Sequence, residues 1–165
     1  MTRWAAVVVS LSMIVAACGD DTRHLSVGPM PLCESVDPQT LLLMAQAVPS
    51  ASLVPCLIAL PEGWEFERAE IETGEATLTF DNDGVGDVEI SIVPGCSATG
   101  VRVDVQGGDR RTWVAQDDRE MVQTTEFDGG CVVVESPARL AASELTRQIS
   151  FVTRDDLRTR SGLGL

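Results

Sequence analysis

The middle of the chain is built from short segments in which apolar and polar residues alternate. Residues 76–80, 88–92 and 101–105 each place an apolar side chain at every second position. A period of two puts these side chains on one face of a strand, and glycine- and aspartate-containing turns separate the segments. Residues 50–55 are predicted to be a loop that precedes them. Further strand candidates are residues 57–60, 64–72, 112–116, 121–126 and 131–135. The pattern predicts an antiparallel sheet of about six or seven strands with one face exposed to water.

Two proline-containing segments predict helices. Asp37 fits an N-cap and Pro38 a first helical residue, so a helix is predicted over residues 39–48. Pro137 opens a second predicted helix over residues 138–153, in which apolar side chains recur at helical spacing. With both helices on one face of the sheet, the predicted fold class is α+β.

The N-terminus has the features of an export signal. Arg3 precedes an uncharged, mostly apolar run over residues 5–17. As a helix this run would be about 20 Å long, which is short of the roughly 30 Å hydrocarbon core of a membrane. A signal peptide over residues 1–17 is therefore predicted, and a membrane-spanning helix is not.

The apolar run ends in Val15-Ala16-Ala17-Cys18. This tetrapeptide resembles the lipobox of bacterial lipoproteins, in which a medium-sized apolar residue and two small ones precede a cysteine. The resemblance implies that Cys18 carries a diacylglyceryl group with acyl chains such as palmitate, and that the signal is cut just before it. It also implies a place on the outer face of the cytoplasmic membrane, because two acyl chains hold a protein stably at a bilayer. The alternative is an ordinary secretory signal followed by a free cysteine.

Three segments are predicted after the signal. Residues 18–32 form the lipidated cysteine and a flexible tether, interrupted by glycine and proline, with a typical end-to-end distance of about 20 Å. Residues 33–154 form one extracytoplasmic domain, and residues 155–165 a tail that frays. His24, the single histidine, lies in the tether and is interpreted as a solvated residue without a role in a site.

Four cysteines lie beyond Cys18, namely Cys33, Cys56, Cys96 and Cys131. An even number in an exported chain predicts two disulfides. Three pairings are possible, and we favour Cys33–Cys56 with Cys96–Cys131, since each bond would brace a neighbouring part of the chain. A zinc site would need C-x-x-C spacing or histidine partners, and a redox pair would need C-x-x-C spacing; the predicted domain has neither.

The charge balance excludes nucleic acid as a partner. The chain has 12 basic and 25 acidic residues and a formal net charge of −13. Nucleic acids and anionic headgroups both require neutralisation by lysine or arginine. We therefore predict no nucleic-acid binding and a domain that stands off from an anionic membrane surface.

The domain lacks the residues and motifs of several common catalytic sites. The domain has no histidine, which excludes Ser–His and Cys–His arrangements, and it has no G-x-S-x-G or phosphate-binding glycine motif. A hydrolase with paired carboxylates is the enzymatic alternative. Five glutamates instead fit the exposed face or the edges of strands: Glu67, Glu70, Glu72, Glu75 and Glu89. The sequence therefore predicts a protein that is not an enzyme and has no cofactor.

Residues 81–87 are a weak candidate metal site. Asp81, Asp83 and Asp87 offer oxygen ligands of the kind that Ca²⁺ prefers. The EF-hand pattern fails because Val85 occupies the place of the third acidic ligand. Asn-Asp-Gly between alternating strands favours a hairpin turn instead.

Trp64 and Trp113 offer two interpretations. Aromatic side chains often rim a ligand groove. Packing in the core or at the sheet edge is the favoured role for tryptophans on strands.

The domain also carries four short motifs. They are Ala47-Val48-Pro49-Ser50-Ala51, Pro55-Cys56, Leu60-Pro61-Glu62-Gly63-Trp64 and Gly129-Gly130-Cys131-Val132. Together they resemble small actinobacterial lipoproteins and membrane-linked proteins, a group without an assigned activity. The resemblance implies a single domain and adds no chemistry.

The predicted function is that of a membrane-anchored extracytoplasmic lipoprotein. Its domain is expected to be a non-catalytic module that engages another envelope protein. A calcium- or small-ligand-binding lipoprotein is the alternative.

Overall fold

The computed structural model describes residues 28–103, 110–138 and 142–162. In these residues a seven-stranded sheet, a two-stranded sheet and three helices form the α+β fold that the sequence predicts. The helices are α1 (Gln39–Ala47), α2 (Ala142–Thr146) and α3 (Arg154–Ser161). The strands are β1 (Leu53–Leu57), β2 (Glu65–Glu72), β3 (Glu75–Asp81), β4 (Val88–Val93), β5 (Val101–Val103), β6 (Arg111–Gln116), β7 (Glu120–Phe127), β8 (Gly130–Pro137) and β9 (Ile149–Thr153).

The large sheet consists of two antiparallel meanders. Its strand order is β2-β3-β4-β8-β7-β6-β5, so β4 of the first meander pairs with β8 of the second. Residues 94–100 must therefore pass from the third strand of the sheet to its edge, a distance of about 19 Å at the usual strand spacing. The Cys96–Cys131 disulfide ties this crossing segment to the start of β8.

The core lies between the large sheet and α1. Leu41 and Met44, one turn apart on α1, are fully buried, and α1 packs against β1, β2 and β3. On the sheet, Leu78, Phe80 and Ile90 come from the alternating segments and are also fully buried. Each such side chain contributes about 1.5–3 kcal/mol of hydrophobic stabilisation. In the segments 76–80 and 88–92 the predicted alternation therefore marks the buried face of the sheet correctly.

Two predictions from the sequence differ from the structure at the small sheet, which consists of β1 and β9. The predicted loop over residues 50–55 is only partly correct, because β1 begins at Leu53. The predicted second helix over residues 138–153 is wrong. Helix α2 ends at Thr146, Pro137 is the last residue of β8, and β9 pairs antiparallel with β1, with Phe151 opposite Pro55. The apolar residues at positions 142, 145, 149 and 152 fit a helix, but a short apolar run is compatible with either period. Pairing with β1 decides the outcome.

The C-terminal segment corrects a third prediction. Residues 154–161 form α3 instead of a frayed tail. The side chain of Thr153 accepts a hydrogen bond from the Asp156 backbone N–H at 3.0 Å, and Gly162 ends the helix in the left-handed conformation. Leu157 is fully buried in the core, so the domain extends to Gly162.

The first described residues lie on the domain. We call residues 28–33 the N-terminal strap. The Leu57 N–H donates to the Pro31 carbonyl oxygen at 2.9 Å, and the Cys33 N–H donates to the Leu57 carbonyl oxygen at 2.8 Å. The Cys33–Cys56 disulfide adds a covalent bond between the strap and β1. Residues 28–32, assigned to the tether from the sequence, are thus held against the small sheet.

Candidate functional site

The buried face of the large sheet becomes exposed at its β5 edge. The register places Val101, Val114, Gln123 and Val134 in one row across β5, β6, β7 and β8. The exposed fraction is 2% at Val134 and 74% at Val101. Val103, the next residue of β5 on this face, is 44% exposed. The same apolar face that forms the core at one end of the row is therefore open to solvent at the other.

We call Val101, Val103 and Val114 the edge patch. Its geometry depends on Gly100, which has a φ of +103°. A Cβ atom at this position would lie 2.3 Å from the carbonyl oxygen of Val114. Glycine thus allows the chain to come close to β6 and to begin β5 beside it.

The opposite face of the same edge carries charge and one aromatic ring. Arg102 pairs in register with Trp113. The Arg111 guanidinium lies 5.9 Å from the centre of the Trp113 ring and 3.5 Å from a carboxylate oxygen of Glu126. An arginine in the middle of a three-residue edge strand opposes pairing with a second copy of β5, because antiparallel pairing centred on it would bring two like charges together. The edge patch is therefore better suited to a different chain.

A shallow acidic pocket of about 310 Å³ lies on the side of the sheet opposite the core. Glu89 and Glu135 are direct cross-strand partners in its floor, and Asp87 and Glu120 line it as well. The nearby Asp117 carboxylate accepts two backbone N–H bonds, which lower its pKa. Among the described residues, no three or more histidine, cysteine, aspartate or glutamate side chains form a group that could hold a metal ion.

The weak candidate metal loop connects β3 to β4. The Asn82 side chain donates to the Gly63 carbonyl oxygen at 2.6 Å and accepts from the Gly84 N–H at 3.0 Å. Asp81 belongs to β3, whereas Asp87 lines the acidic pocket. Asn82 thus organises the turn through its own hydrogen bonds, and the structure does not bring the carboxylates of Asp81, Asp83 and Asp87 together as a metal-binding group.

We expect millimolar Ca²⁺ to leave the melting temperature of the domain unchanged within about 1 °C, because an ion stabilises a fold only by binding to it. Thermal unfolding followed by circular dichroism with and without Ca²⁺ measures this directly. Asp83→Asn is the control, since Asp83 is exposed in the turn. A rise of several degrees that disappears in Asp83→Asn would contradict the expectation.

The two tryptophans have different surroundings. Trp64 is only 4% exposed and belongs to the core, so the groove interpretation is wrong for this residue. Trp113 is half-buried on β6, on the face opposite the edge patch. This agrees with the favoured interpretation of packing in the core and near the sheet edge.

Two glutamates on β2 take part in surface ion pairs with Arg68. Glu67 and Glu70 lie 2.9 and 3.0 Å from the Arg68 guanidinium. The hydrogen bond that the Arg68 guanidinium donates to Glu70, and the negative charge of Glu67, raise the pKa of Arg68. Glu72 and Glu75 face each other at the exposed end of the β2–β3 hairpin. These four residues occupy the surface and the strand ends, as the sequence predicts.

The predicted signal peptide, the predicted acylation site Cys18 and His24 lie outside the described residues. Both favoured disulfides, Cys33–Cys56 and Cys96–Cys131, are present. Within the described ranges no helix is long and apolar enough to cross a membrane.

Comparison with known proteins adds no assignment. No protein-family profile matches the chain, and no curated protein matches it.

The sequence did not identify the edge patch. The alternation of Val101 and Val103 predicts a strand with one apolar face, and such a face is ordinarily buried. Which part of a face the helices leave open depends on the strand order, which a local pattern does not contain.

Proposed function

We propose that the protein is a lipid-anchored extracytoplasmic module that binds another protein of the cell envelope, without catalysis, through the edge patch. The observation that carries the proposal is the exposure of Val101 and Val103 on the face that forms the core elsewhere in the sheet. Exposed apolar side chains grouped at a sheet edge are typical of protein interaction sites.

The anchor part of the proposal rests on Val15-Ala16-Ala17-Cys18. Two disulfides support export, because such bonds persist in oxidising compartments and are rare in the cytosol. The proposed address is the outer face of the cytoplasmic membrane.

The edge patch fits a partner that presents an extended apolar segment. β5 is the last strand of the described sheet, so its outer edge offers backbone N–H and C=O groups for a further strand. Val101 and Val103 would then contact alternate side chains of the added strand.

The test is crosslinking in intact cells followed by purification of the tagged protein. We expect a partner that is recovered with the wild type and reduced at least about fivefold by Val101→Glu, which corresponds to a loss of about 1 kcal/mol of binding free energy. Thr73→Glu is the control, because Thr73 is exposed in the β2–β3 turn at the opposite edge of the sheet and the substitution introduces the same carboxylate. Equal recovery with Val101→Glu and with the wild type would refute the edge patch as the binding surface.

Cys18→Ala, examined in the same cells, tests the anchor. We expect the wild type in the membrane fraction with an acylated N-terminal cysteine by mass spectrometry, and the variant without acyl chains. An unmodified Cys18 in the mature protein would refute the lipid anchor, and the result with Val101→Glu would still decide the partner surface.

A further inference from the structure

Two large apolar side chains are exposed where the N-terminal strap joins the domain. Val36 is 102% exposed and Ile58 is 64% exposed. Val36 follows the strap by three residues, and Ile58 follows Leu57, the residue to which the strap is hydrogen-bonded. The parallel bridge between Leu32 and Leu57 holds the two segments side by side.

Local hydrogen bonds hold both segments in place. The Ser35 hydroxyl donates to the Asp37 carbonyl oxygen at 2.8 Å and accepts from the Asp37 N–H at 3.1 Å, which closes a tight turn around Val36. The Ile58 N–H donates to the Gln148 carbonyl oxygen at 2.8 Å. The two apolar side chains are therefore presented to solvent by ordered backbone.

The strap begins against the first turn of α1. The Thr40 hydroxyl donates to the Pro29 carbonyl oxygen at 2.6 Å. A Cβ atom on Gly28 would lie 2.4 Å from the Thr40 hydroxyl oxygen, so the backbone of Gly28 is in close contact with the first turn of α1. Val36 lies just before this turn. The chain therefore reaches the domain at the end that carries Val36 and Ile58.

Covalent geometry limits the distance of this end from the anchor. Ten peptide steps separate Cys18 from Gly28, and a fully extended chain of that length spans at most about 35 Å. An acylated Cys18 would hold this end within that distance of the bilayer surface. Under such a constraint contact with the bilayer is effectively intramolecular, so a small apolar contribution is enough to populate it.

Two arginines lie near the acidic residues of the strap region. The strap and the turn after it carry two acidic residues, Glu34 and Asp37. Arg160 donates to the Cys33 carbonyl oxygen, and Arg147 precedes Gln148. The net charge of −13 predicts that the domain stands off from an anionic membrane. Near the strap, Arg147 and Arg160 partly offset that repulsion.

We infer that Val36 and Ile58 rest on the lipid bilayer and orient the domain on it. The inference builds on the lipid anchor of the proposed function and deepens it by naming the surface that faces the membrane. The side chains enter the boundary between headgroups and acyl chains, where apolar contacts lie about 5–10 Å deep.

The test uses the acylated mature protein, which begins at Cys18, in phosphatidylcholine vesicles that contain brominated lipids, which quench tryptophan fluorescence at short range. Ile58→Trp and Val101→Trp place the same probe at two exposed apolar positions. We expect the quenching of Ile58→Trp to be at least about twice that of Val101→Trp, because only the former would lie at interfacial depth. Trp64 and Trp113 contribute an equal background to both variants.

Val36→Glu in the Ile58→Trp protein provides the second variant. Since Val36 is fully exposed, the substitution leaves the fold intact while it opposes insertion, and we expect it to reduce the quenching to the level of Val101→Trp. Equal quenching at positions 58 and 101 in protein that is acylated and vesicle-bound would overturn the inference and leave the anchor standing. If mass spectrometry finds no acyl chain and the protein does not float with the vesicles, the anchor fails and the inference fails with it.

Discussion

Gly129→Ala is expected to lower the free energy of unfolding by about 3 kcal/mol or more. Gly129 lies in the β7–β8 turn with a φ of +72°, where an L-residue loses about 1–2 kcal/mol. A Cβ atom there would lie 1.7 Å from the Ser50 carbonyl oxygen, so backbone would have to move, at a further cost of about 1–3 kcal/mol. Urea unfolding of the wild type and the variant measures the difference.

This close approach has a structural role. The Ser52 N–H donates to the Asp128 carbonyl oxygen at 3.0 Å, so the β7–β8 turn is docked on the segment that leads into β1. A side chain at Gly129 would separate the large sheet from the segment that leads to the small one.

Gly74→Ala is the matched control for this prediction. Gly74 also lies in a hairpin turn, with a φ of +93°, but a Cβ atom there would meet nothing within 4 Å. We expect it to cost only the backbone term of about 1–2 kcal/mol. Similar losses for the two glycines would show that the approach of Gly129 to Ser50 does not contribute to stability.

Removal of the Cys33–Cys56 disulfide is expected to cost about 3–4 kcal/mol, by the loop-closure entropy of a crosslink of this span. The two cysteines are 23 residues apart in sequence. The double variant Cys33→Ala with Cys56→Ala is the appropriate form, because Cys56 is 2% exposed and serine would bury an additional hydroxyl group. Chemical denaturation gives the change in the free energy of unfolding.

The same variant should loosen the N-terminal strap. Because the disulfide holds the strap to β1, we expect faster hydrogen exchange at the Leu57 N–H, which donates to the Pro31 carbonyl oxygen. The double variant Cys96→Ala with Cys131→Ala is the control. Its cysteines are 35 residues apart, so the entropic loss should be similar, but Leu57 should lose no protection beyond that caused by the lower global stability. Equal local loss in both variants would contradict a specific role of the first disulfide in the strap.

A large part of the fold follows from the local pattern. Leu78 and Ile90 lie at alternate positions of two predicted strands, and both are buried on the same face. Alternation identifies such strands because successive side chains of a strand point to opposite faces whatever it pairs with. The two cysteine pairs that were favoured because each braces a neighbouring part of the chain also form.

The errors have a common cause. β1 and β9 are far apart in sequence, yet Leu53 pairs with Thr153 and Leu57 with Ile149. The spacing of the apolar residues around 149–153 fits a helix as well as a strand, so only the pairing decides between them. Residues 53–57 contain Pro55, which has no backbone N–H to donate and so disfavours a strand prediction from the sequence. Leu157 is similar, since a charged C-terminal helix is stable only where its single apolar side chain finds a core.

For the candidate site, too, some features follow from the sequence and others only from the tertiary structure. The sequence by itself determined the chemical inventory: an apolar run ending in Val15-Ala16-Ala17-Cys18, a domain without histidine, four further cysteines and the alternating strands. The tertiary structure alone decided that Val101 is exposed while Val134, in the same row, is buried, and that Ile58 lies beside the strap. The physical reason is that the identity of a side chain sets what it can bind, whereas its exposure depends on which distant segments cover it.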